Sequence, residues 1–421
     1  MQLVKQEVKG MRDILPKEKE LRDNIYNEIA KIYKNFGFNL IETPIVEHIE
    51  NLTGNKGGEN EKLTFNILKR GEKLSEALEN GGELCDSGLR YDLTLPLCRY
   101  FANNMDNLPY PFKVFQFGDV FRADRPQKGR TRQFKQCDID IFGEPSINGE
   151  IELLTATTSF LNGIKGLNFS IRLNDRRILK AMCDYVGFPE TTYGDILIAL
   201  DKLDKIGLTG VKGELIKLGL EEVKCDKYIN FINEVNQSND KLSFIANTIQ
   251  SEEIKKVVSG LKRIIDVISQ VNAFNVQFDF TIVRGMGYYT GTIYEIYCEN
   301  YGFAIGGGGR YDNMINDFIG QSVPAVGISI GFERLILILS EMNYKVEGIQ
   351  EKVAILFDEK LDNQIYIKML CKANEMRNEK VVYFNKYNKN VKRQKEVLMS
   401  LGYNNFIDIR SDEDALKFIS E

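Results

Sequence analysis

FQFGDVFRADRPQKGRTRQFKQCDIDIFG, residues 115–143, predicts two strands joined by a basic loop. Because side chains alternate between the faces of a strand, Gln136, Asp138 and Asp140 lie together on one face, and three apolar residues lie on the other. A polar row backed by an apolar row is typical of a sheet whose open face holds a polar ligand. An ordinary amphipathic hairpin explains the same pattern, and this segment alone leaves both interpretations open.

The loop between these strands is strongly basic. Arg122 ends the first strand, and four further cations follow it: Arg125, Lys128, Arg130 and Arg132. Guanidinium groups match phosphate oxygens in a fork geometry, so the loop suits a polyphosphate, although a solvated charge run is the alternative. The net charge of the chain is -5, so any nucleic-acid partner has to be bound by a local patch of this kind.

Composition indicates a globular protein of more than one domain. The chain has 421 residues, 43% hydrophobic and 27% charged, which predicts two or three domains. No apolar run of about 18 residues occurs, so we expect no transmembrane helix, and the first residues lack the apolar core of a secretory signal. The seven cysteines are scattered and form no CxxC pair, which favours reduced thiols in the cytoplasm over a zinc knuckle.

His48 is the only histidine in the chain. A single histidine excludes multi-histidine metal sites, and no nucleophile elbow accompanies it. We therefore expect the chemistry to depend on arginines, carboxylates, amides and tyrosines, and we assign no metal ligand among the side chains.

Periodicity divides the rest of the chain. Apolar residues three and four apart predict a helix from Lys17 to Phe36, and Pro44 limits the strand after it to an edge or an interface. A helical pattern over residues 174–273 indicates a helical insertion in a β-rich domain. After a polar linker at 343–351, strand and helix patterns alternate, which predicts a small α/β domain with a largely parallel sheet.

Two glycine- and tyrosine-rich segments each allow two interpretations. The run Gly306–Gly309 indicates either close backbone approach to a ligand or a tight turn. Arg284 follows a strand and precedes Tyr288 and Tyr289. The arginine could neutralise a phosphate while the tyrosines line a polar pocket, or a tyrosine could pack in the core.

Two single residues also allow two interpretations each. Arg334, early in an apolar helix, is either a surface anchor or a guanidinium that stacks on an aromatic base. Asp92, directly before a helix, is either a capping group or a carboxylate that binds an ammonium group.

Taken together, these segments resemble the histidyl-tRNA synthetase family of class II aminoacyl-tRNA synthetases. The matching segments, in family order, are KGMRDILP at 9–16, FRADRPQKGRTRQF at 121–134, RGMGYYTGTIYE at 284–295, GGGGRYD at 306–312 and AVGISIGFERL at 325–335. The helix ending at Phe36 and the strand through Pro44 resemble the first class II motif, which builds the dimer interface of that family. One such motif would be weak, but five in order are specific.

The resemblance implies a fold and a division into domains. It implies an α+β catalytic domain with an antiparallel class II synthetase sheet over residues 1–342, including a helical insertion at about 175–272. A small, shortened α/β domain that resembles an anticodon-binding domain would occupy residues 350–421. The family also implies a homodimer.

The resemblance further implies a histidine–tRNA ligase. ATP, bound with Mg²⁺, would activate L-histidine to histidyl-adenylate, and the histidyl group would pass to the 3′ end of tRNA(His). The implied catalytic residues are Arg122 and Arg284. The implied ATP-binding residues are Arg122, Phe134 and Arg334, the last two around the adenine. The implied histidine-binding residues are Asp92, Arg122, Gln136, Asp140, Arg284, Tyr288 and Tyr289. The residues implied at the tRNA acceptor stem are Arg125, Gln127, Lys128, Arg130 and Arg132.

One departure and two alternatives accompany this hypothesis. Met286-Gly287 stands where the family usually has Leu-Asp, so the hydrogen bonds of that carboxylate are not expected. A non-catalytic paralogue that regulates ATP phosphoribosyltransferase would resemble the same core, but it typically lacks the C-terminal domain and part of the arginine set. A nucleic-acid-binding module that uses only the basic loop would leave the polar strand face unexplained.

Overall fold

The computed structural model describes residues 3–54, 63–127, 129–283, 287–346 and 350–420. The chain divides into two compact units, one of residues 1–12 and 28–337 and one of residues 13–27 and 338–421. Two residues with predicted roles, Lys128 and Arg284, lie outside the described residues, as does Met286.

The described residues form helices and strands with the following bounds. The helices are α1 Pro16–Asn35, α2 Ile49–Thr53, α3 Glu72–Asn80, α4 Thr94–Asn104, α5 Asn148–Asn162, α6 Arg176–Val186, α7 Tyr193–Leu200, α8 Leu203–Lys217, α9 Glu222–Gln237, α10 Lys241–Ile249, α11 Glu252–Val271, α12 Asn316–Ile319, α13 Phe332–Glu341, α14 Asn363–Met376, α15 Val391–Ser400 and α16 Asp412–Ser420. The strands are β1 Asn39–Ile41, β2 Val46–His48, β3 Phe65–Leu68, β4 Cys85–Leu89, β5 Phe112–Phe121, β6 Gln133–Phe142, β7 Phe169–Asp175, β8 Asn275–Phe278, β9 Thr292–Cys298, β10 Phe303–Arg310, β11 Ala325–Ile330, β12 Lys352–Phe357, β13 Val381–Lys386 and β14 Asn405–Ile409.

The main sheet of the first unit has eight strands in the order β1-β5-β6-β11-β10-β9-β7-β8. The six central strands, β5 to β7 in this order, pair with one another antiparallel, which confirms the predicted class II type of sheet. A parallel strand completes each edge, β1 beside β5 and β8 beside β7. Pro44 separates β1, at the edge of this sheet, from β2, which joins β3 and β4 in a separate small sheet.

The predicted basic hairpin is the pair β5 and β6, which align from Phe112 opposite Phe142 to Phe121 opposite Gln133. The apolar row of β6 is buried, as the alternation requires. On this apolar face, Phe115 of β5 lies opposite Ile139 of β6, and its ring meets that of Tyr33 in α1 edge-on, with 5.3 Å between centroids. The hairpin is therefore anchored on its apolar face and carries its polar row on the other.

The helical pattern over residues 174–273 is confirmed as the six helices α6 to α11. Their ends follow ordinary capping chemistry. The Asp175 carboxylate accepts a hydrogen bond from the backbone N–H of Arg177 at the start of α6, and the Ser251 hydroxyl accepts one from Ile254 at the start of α11.

The second unit contains a three-stranded parallel sheet in the order β13-β12-β14, as the alternating strand and helix patterns predict. Its core joins β12, β14, α14 and α16 through the buried residues Val353, Ile355, Met369, Ile409 and Phe418. In the described parts of the whole chain, no helix is long and apolar enough to cross a membrane.

Candidate active site

A cavity of about 160 Å³ lies on the polar face of the main sheet, where β6, β11 and β10 are neighbours. Strand β6 lines it with Gln136, Asp138 and Asp140, and the two other strands contribute mainly glycines and Ser329. Three further groups complete the lining: Asp92 and Thr94 at the start of α4, Arg122 after β5, and the tyrosines 288, 289 and 311. The residues predicted for histidine binding that the structure describes therefore all line one cavity.

Four acceptor atoms in this cavity receive no hydrogen bond from any described residue: Asp92 Oδ2, Gln136 Oε1, Asp138 Oδ1 and Asp140 Oδ2. In each of the three aspartates, the other carboxylate oxygen accepts a hydrogen bond. The Leu95 N–H donates to Asp92 Oδ1 at 3.1 Å, Gln136 Nε2 donates to Asp138 Oδ2 at 3.3 Å, and the Tyr311 hydroxyl donates to Asp140 Oδ1 at 2.6 Å. Because an unmet buried acceptor is unfavourable, the cavity is suited to a ligand that carries several N–H donors.

Burial raises the pKa of all three carboxyl groups. Burial and then the neighbouring Asp140 raise the pKa of Asp138 well above its usual range. Burial raises the pKa of Asp140 to about 7, although the hydrogen bond from Tyr311 acts in the opposite direction. Burial also raises the pKa of Asp92, against the hydrogen bond from Leu95. Buried carboxyl groups this close together ionise readily only when a cation binds beside them. The cavity therefore favours a positively charged ligand.

Glycines make room for the acidic row, which consists of the three buried aspartates Asp92, Asp138 and Asp140. A Cβ on Gly327 of β11 would lie 1.8 Å from Asp140 Oδ1, and a Cβ on Gly308 of β10 would lie 2.0 Å from the Gly327 carbonyl oxygen. The Gly327 carbonyl is itself fixed, because the buried Tyr294 hydroxyl donates to it at 2.8 Å. The run Gly306–Gly309 lies within β10 rather than in a turn, and it allows strand and side chains to approach closely.

Three aromatic rings adjoin the acidic row. The rings of Tyr288 and Tyr289 lie 4.8 Å apart, and the ring of Tyr288 lies 6.0 Å from that of Tyr311. Tyr288 and Tyr289 both line the cavity, although they are adjacent in the chain. This is possible because they precede β9 and do not alternate as strand residues do.

Arg122 is held at the edge of the cavity by the backbone. Its Nε donates to the Tyr91 carbonyl oxygen at 2.9 Å, and its guanidinium lies 5.1 Å from the centre of the Phe134 ring. Arg334 Nη1 donates to the Ala304 carbonyl oxygen at 2.5 Å, at the start of α13. A guanidinium at the mouth of an acidic cavity, beside an aromatic ring, can bind the phosphate and base of a nucleotide.

The described residues of the basic loop divide into two groups. Arg125, Gln127 and Arg130 are exposed, and the backbones of the last two pair with each other. Arg132 is half-buried, and its guanidinium donates to the carbonyl oxygens of Asp124 and Lys9 at 3.2 and 3.3 Å. Arg132 therefore connects the loop to the chain before α1, while the exposed arginines remain accessible to a polyanion.

Sequence reasoning assigns no role to several lining residues. Alternation places Asp138 on the polar face, yet no function follows from that position alone. Tyr311 belongs to the GGGGRYD segment, but its contact with Asp140 joins positions 171 residues apart and has no local signal. Thr94 and Ser329 also line the cavity, and only their proximity to Asp92 and to the β10–β11 pairing could have indicated them.

Two other possibilities for a site are weaker. Within the described residues, no group of three or more His, Cys, Asp or Glu side chains is arranged to hold a metal ion. A shallow hollow of about 450 Å³ on α10 and α11 is lined by Lys255, Lys262 and Arg263. Both lysines are paired, Lys255 with Glu252 and Lys262 with Asp240, and none of the described buried polar atoms without a hydrogen-bond partner belongs to the lining of this hollow.

Comparison with known proteins gives a consistent family. The family model described as histidyl-tRNA synthetase matches residues 10–335. The probable histidine–tRNA ligase of Tropheryma whipplei (strain Twist) is 42% identical over 371 residues, which covers 86% of this chain and 86% of that protein. The histidine–tRNA ligase of Leifsonia xyli is 42% identical over 338 residues and covers 78% of both chains.

Solved structures agree with the sequence matches. The histidyl-tRNA synthetase of Nostoc sp. PCC 7120 superposes with a TM-score of 0.80 at 28% identity, covering 99% of this chain and 94% of that one. A Bacillus halodurans protein titled ATP phosphoribosyltransferase regulatory subunit/histidyl-tRNA synthetase has a TM-score of 0.77 at 21% identity, covering 97% and 99%. At that identity the second likeness concerns the fold alone.

Proposed function

The chain belongs to the histidyl-tRNA synthetase family, and we propose that the cavity on β6, β11 and β10 is where it binds and activates L-histidine. The chain is a histidine–tRNA ligase whose substrates are ATP, L-histidine and tRNA. The observation that carries the assignment of the site is its set of four unmet buried acceptors. Histidine supplies donors of the matching kind, three on its ammonium group and one on a neutral imidazole.

The reaction makes limited demands on the protein. A carboxylate oxygen of histidine attacks the α-phosphorus of ATP, the bond to pyrophosphate breaks, and histidyl-adenylate forms. A hydroxyl at the 3′ end of the tRNA then attacks the carbonyl carbon of the adenylate, and AMP leaves. The first step needs alignment and neutralisation of crowded negative charge rather than a protein nucleophile, which is compatible with a chain that has one histidine.

Histidine recognition would rest on the acidic row. Asp92 Oδ2 and Gln136 Oε1 would accept hydrogen bonds from the ammonium group, and Asp140 Oδ2 would accept one from the imidazole. The bond from Tyr311 to Asp140 Oδ1 supports this role, because it leaves Oδ2 as the available oxygen. Tyr288 and Tyr289 would enclose the ring. An amino acid without a side-chain N–H donor would leave Asp140 Oδ2 buried without a hydrogen bond, so the site would discriminate against it.

ATP would be bound at the edge of the same cavity. Arg122 would contact the α-phosphate and the histidine carboxylate, while Phe134 and Arg334 would enclose the adenine. Arg284, which lies outside the described residues, would supply a second cation at the α-phosphate. Mg²⁺ would enter with ATP on its phosphate oxygens, and we assign no side chain to it.

Further parts of the chain would serve tRNA binding and assembly. The exposed Arg125, Gln127 and Arg130 of the loop would contact the acceptor stem of tRNA(His), together with Arg132 and with Lys128, which lies outside the described residues. Residues 1–342 would form the catalytic domain, with the insertion at about 175–272, and residues 350–421 would face the anticodon. We also propose a homodimer and a cytoplasmic location, in keeping with the family.

The direct test is histidine-dependent exchange of pyrophosphate into ATP by the purified protein. We expect exchange with histidine, and a loss of about 10²–10³-fold in Arg122→Ala, the scale seen when a charge-stabilising donor is removed. Arg172→Ala is the matched control, because Arg172 lies on β7 against the Tyr297 ring and does not line the cavity. No exchange in the wild type, or normal exchange in Arg122→Ala, would contradict the proposal.

A further inference from the structure

We propose that Asp138 is a positioning residue for histidine recognition, which holds the amide of Gln136 so that its oxygen faces the ligand. The inference deepens the proposed function of the cavity and rests on it. The family resemblance assigns roles to Gln136 and Asp140 but none to Asp138, which stands between them on β6.

The geometry of three neighbours on one strand carries the inference. Side chains two residues apart on a strand share a face and are separated by about 6.5–7 Å along it, so Asp138 adjoins both Gln136 and Asp140. Gln136 Nε2 donates to Asp138 Oδ2 at 3.3 Å. With its amino end engaged in this way, Gln136 leaves Oε1 buried in the cavity, where it receives no hydrogen bond from any described residue.

The chemistry of the two groups makes this orientation specific. An ionised carboxylate only accepts hydrogen bonds, whereas a primary amide has one accepting end and one donating end. A carboxylate beside Gln136 therefore binds the amino end and turns the carbonyl oxygen to the other side. An ammonium group only donates, so an amide turned the other way would present N–H groups to it and would repel it.

The charge of Asp138 fits the same role. Asp138 is only 4% exposed, and its Oδ1 also lies in the cavity without a donor among the described residues. Burial and then Asp140 raise the pKa of Asp138, which disfavours its ionised form in the empty cavity, whereas an ammonium group bound nearby favours that form. The hold on Gln136 is consequently strongest when a ligand with an ammonium group is bound.

The test is Asp138→Asn, because asparagine has the same shape but can offer either a donor or an acceptor to Gln136. In the pyrophosphate exchange assay we expect the KM for histidine to rise about tenfold or more, the scale for a hydrogen bond to a charged group, while the KM for ATP changes less than about twofold. Asp138→Ser, whose hydroxyl can also donate, should behave in the same way. A histidine KM equal to that of the wild type in both variants would overturn the proposal.

A second measurement separates positioning from a general structural effect. Imidazolepropionate, which is histidine without its amino group, should inhibit the wild type and Asp138→Asn with the same inhibition constant, since it has no ammonium for Gln136 to bind. In a Gln136→Leu background, which has no amide to orient, Asp138→Asn should cause no further rise in the histidine KM. Equal weakening of both ligands, or independent effects of the two substitutions, would overturn the positioning role.

Controls distinguish this inference from the function on which it rests. Asp119→Asn makes the same chemical change on β5, at a residue that pairs with Lys135 outside the cavity lining, and it should leave the histidine KM unchanged. If the wild type shows no histidine-dependent exchange, the proposed function and the inference both fail. If the wild type is active and Asp138→Asn equals it, only the inference fails.

Discussion

At the scale of single residues, the acidic row lowers the stability of the empty protein and favours the binding of a cationic ligand. Asp92, Asp138 and Asp140 are each at most 4% exposed, and none of them has an ion-pair partner among the described residues within 4.0 Å. Buried carboxyl groups without a cation are unfavourable in water-excluded surroundings. The ligand would supply the missing positive charge, so the empty protein is expected to be less stable than the complex.

The pH dependence of the free energy of unfolding in Asp140→Asn tests this loss of stability. In the folded protein the pKa of Asp140 is about 7, chiefly because of burial, whereas in the unfolded chain the carboxyl has its ordinary acidic pKa. Between those values the folded state binds more protons, so this group destabilises the protein as pH rises, and its effect is complete above about pH 7. At pH 8 the variant should exceed the wild type in free energy of unfolding by up to about 4 kcal/mol, and the difference should fall to about 1.5 kcal/mol at pH 5.

Urea unfolding without histidine at the two pH values measures this difference. The same variant should bind histidine more weakly, because an amide accepts a hydrogen bond from imidazole less strongly than a carboxylate does. A variant that is less stable than the wild type at pH 8, or an equal difference at both pH values, would contradict the account.

Gly327→Ala tests the space that the acidic row needs. The new Cβ would meet Asp140 Oδ1 at 1.8 Å, so Asp140 would have to move and would lose its bond from Tyr311. We expect the KM for histidine to rise by at least about tenfold, the scale of one hydrogen bond to a charged group. Gly213→Ala in α8 is the control, since no described atom lies within 4 Å of its Cβ and a helical alanine should stabilise by about 0.5–1 kcal/mol. Equal histidine KM values in the two variants would exclude this role of Gly327.

At the scale of elements, a buried ion pair joins β10 to α5. Arg310 Nε and Nη2 donate to the two carboxylate oxygens of Glu150 at 2.8 and 2.6 Å, and the same guanidinium binds the carbonyl oxygens of Glu144 and Ser146. Arg310 directly precedes Tyr311, so this fork fixes the end of β10 from which Tyr311 reaches Asp140.

Arg310→Met should destabilise the first unit, because it leaves the fully buried Glu150 without its cation. We expect a loss of about 3–5 kcal/mol in urea unfolding, and recovery of much of it in the double variant Arg310→Met with Glu150→Leu. Lys255→Ala, which breaks an exposed pair with Glu252, should leave the urea midpoint close to that of the wild type. If Arg310→Met matched Lys255→Ala, the pair would not have this structural role.

We propose that the exposed arginines between β5 and β6 bind phosphate groups of tRNA. Arg125 and Arg130 are exposed, whereas Arg132 is occupied by backbone carbonyl oxygens. Replacing Arg125 and Arg130 by alanine should weaken tRNA binding and reduce the slope of log affinity against log salt by roughly 0.7–0.9 for each phosphate group that the variant no longer neutralises. Lys31→Ala, which removes an exposed charge from α1, should leave the slope unchanged. Titration of labelled tRNA at several salt concentrations measures it, and an unchanged slope in the arginine variant would contradict phosphate binding by these arginines.

At the scale of the whole molecule, local periodicity predicted most of the architecture. Alternation in residues 133–142 predicted which side chains of β6 share the cavity, because a strand of period two leaves no other choice once its apolar face is buried. The alternation of strand and helix after residue 351 likewise predicted the parallel sheet of the second unit.

The features that sequence did not predict depend on long-range pairing. No local sequence pattern indicates that the edge strands β1 and β8 run parallel to their neighbours. The hydrogen bond from Tyr311 to Asp140 depends on how β10, β11 and β6 align. The role of Asp138 depends on which atoms of Gln136 and Asp138 meet, and residue type alone does not determine that. The inclusion of residues 13–27 in the second unit is similarly non-local.

The central claim is that the buried acceptors of β6 and of the segment before α4 accept hydrogen bonds from the ammonium and imidazole N–H groups of histidine. A crystal structure of the protein with histidine and a non-hydrolysable ATP analogue tests it most directly. We predict the ammonium group within hydrogen-bond distance of Asp92 Oδ2 and Gln136 Oε1, and the imidazole on Asp140 Oδ2. Histidine bound at another place, with this cavity empty, would contradict the account.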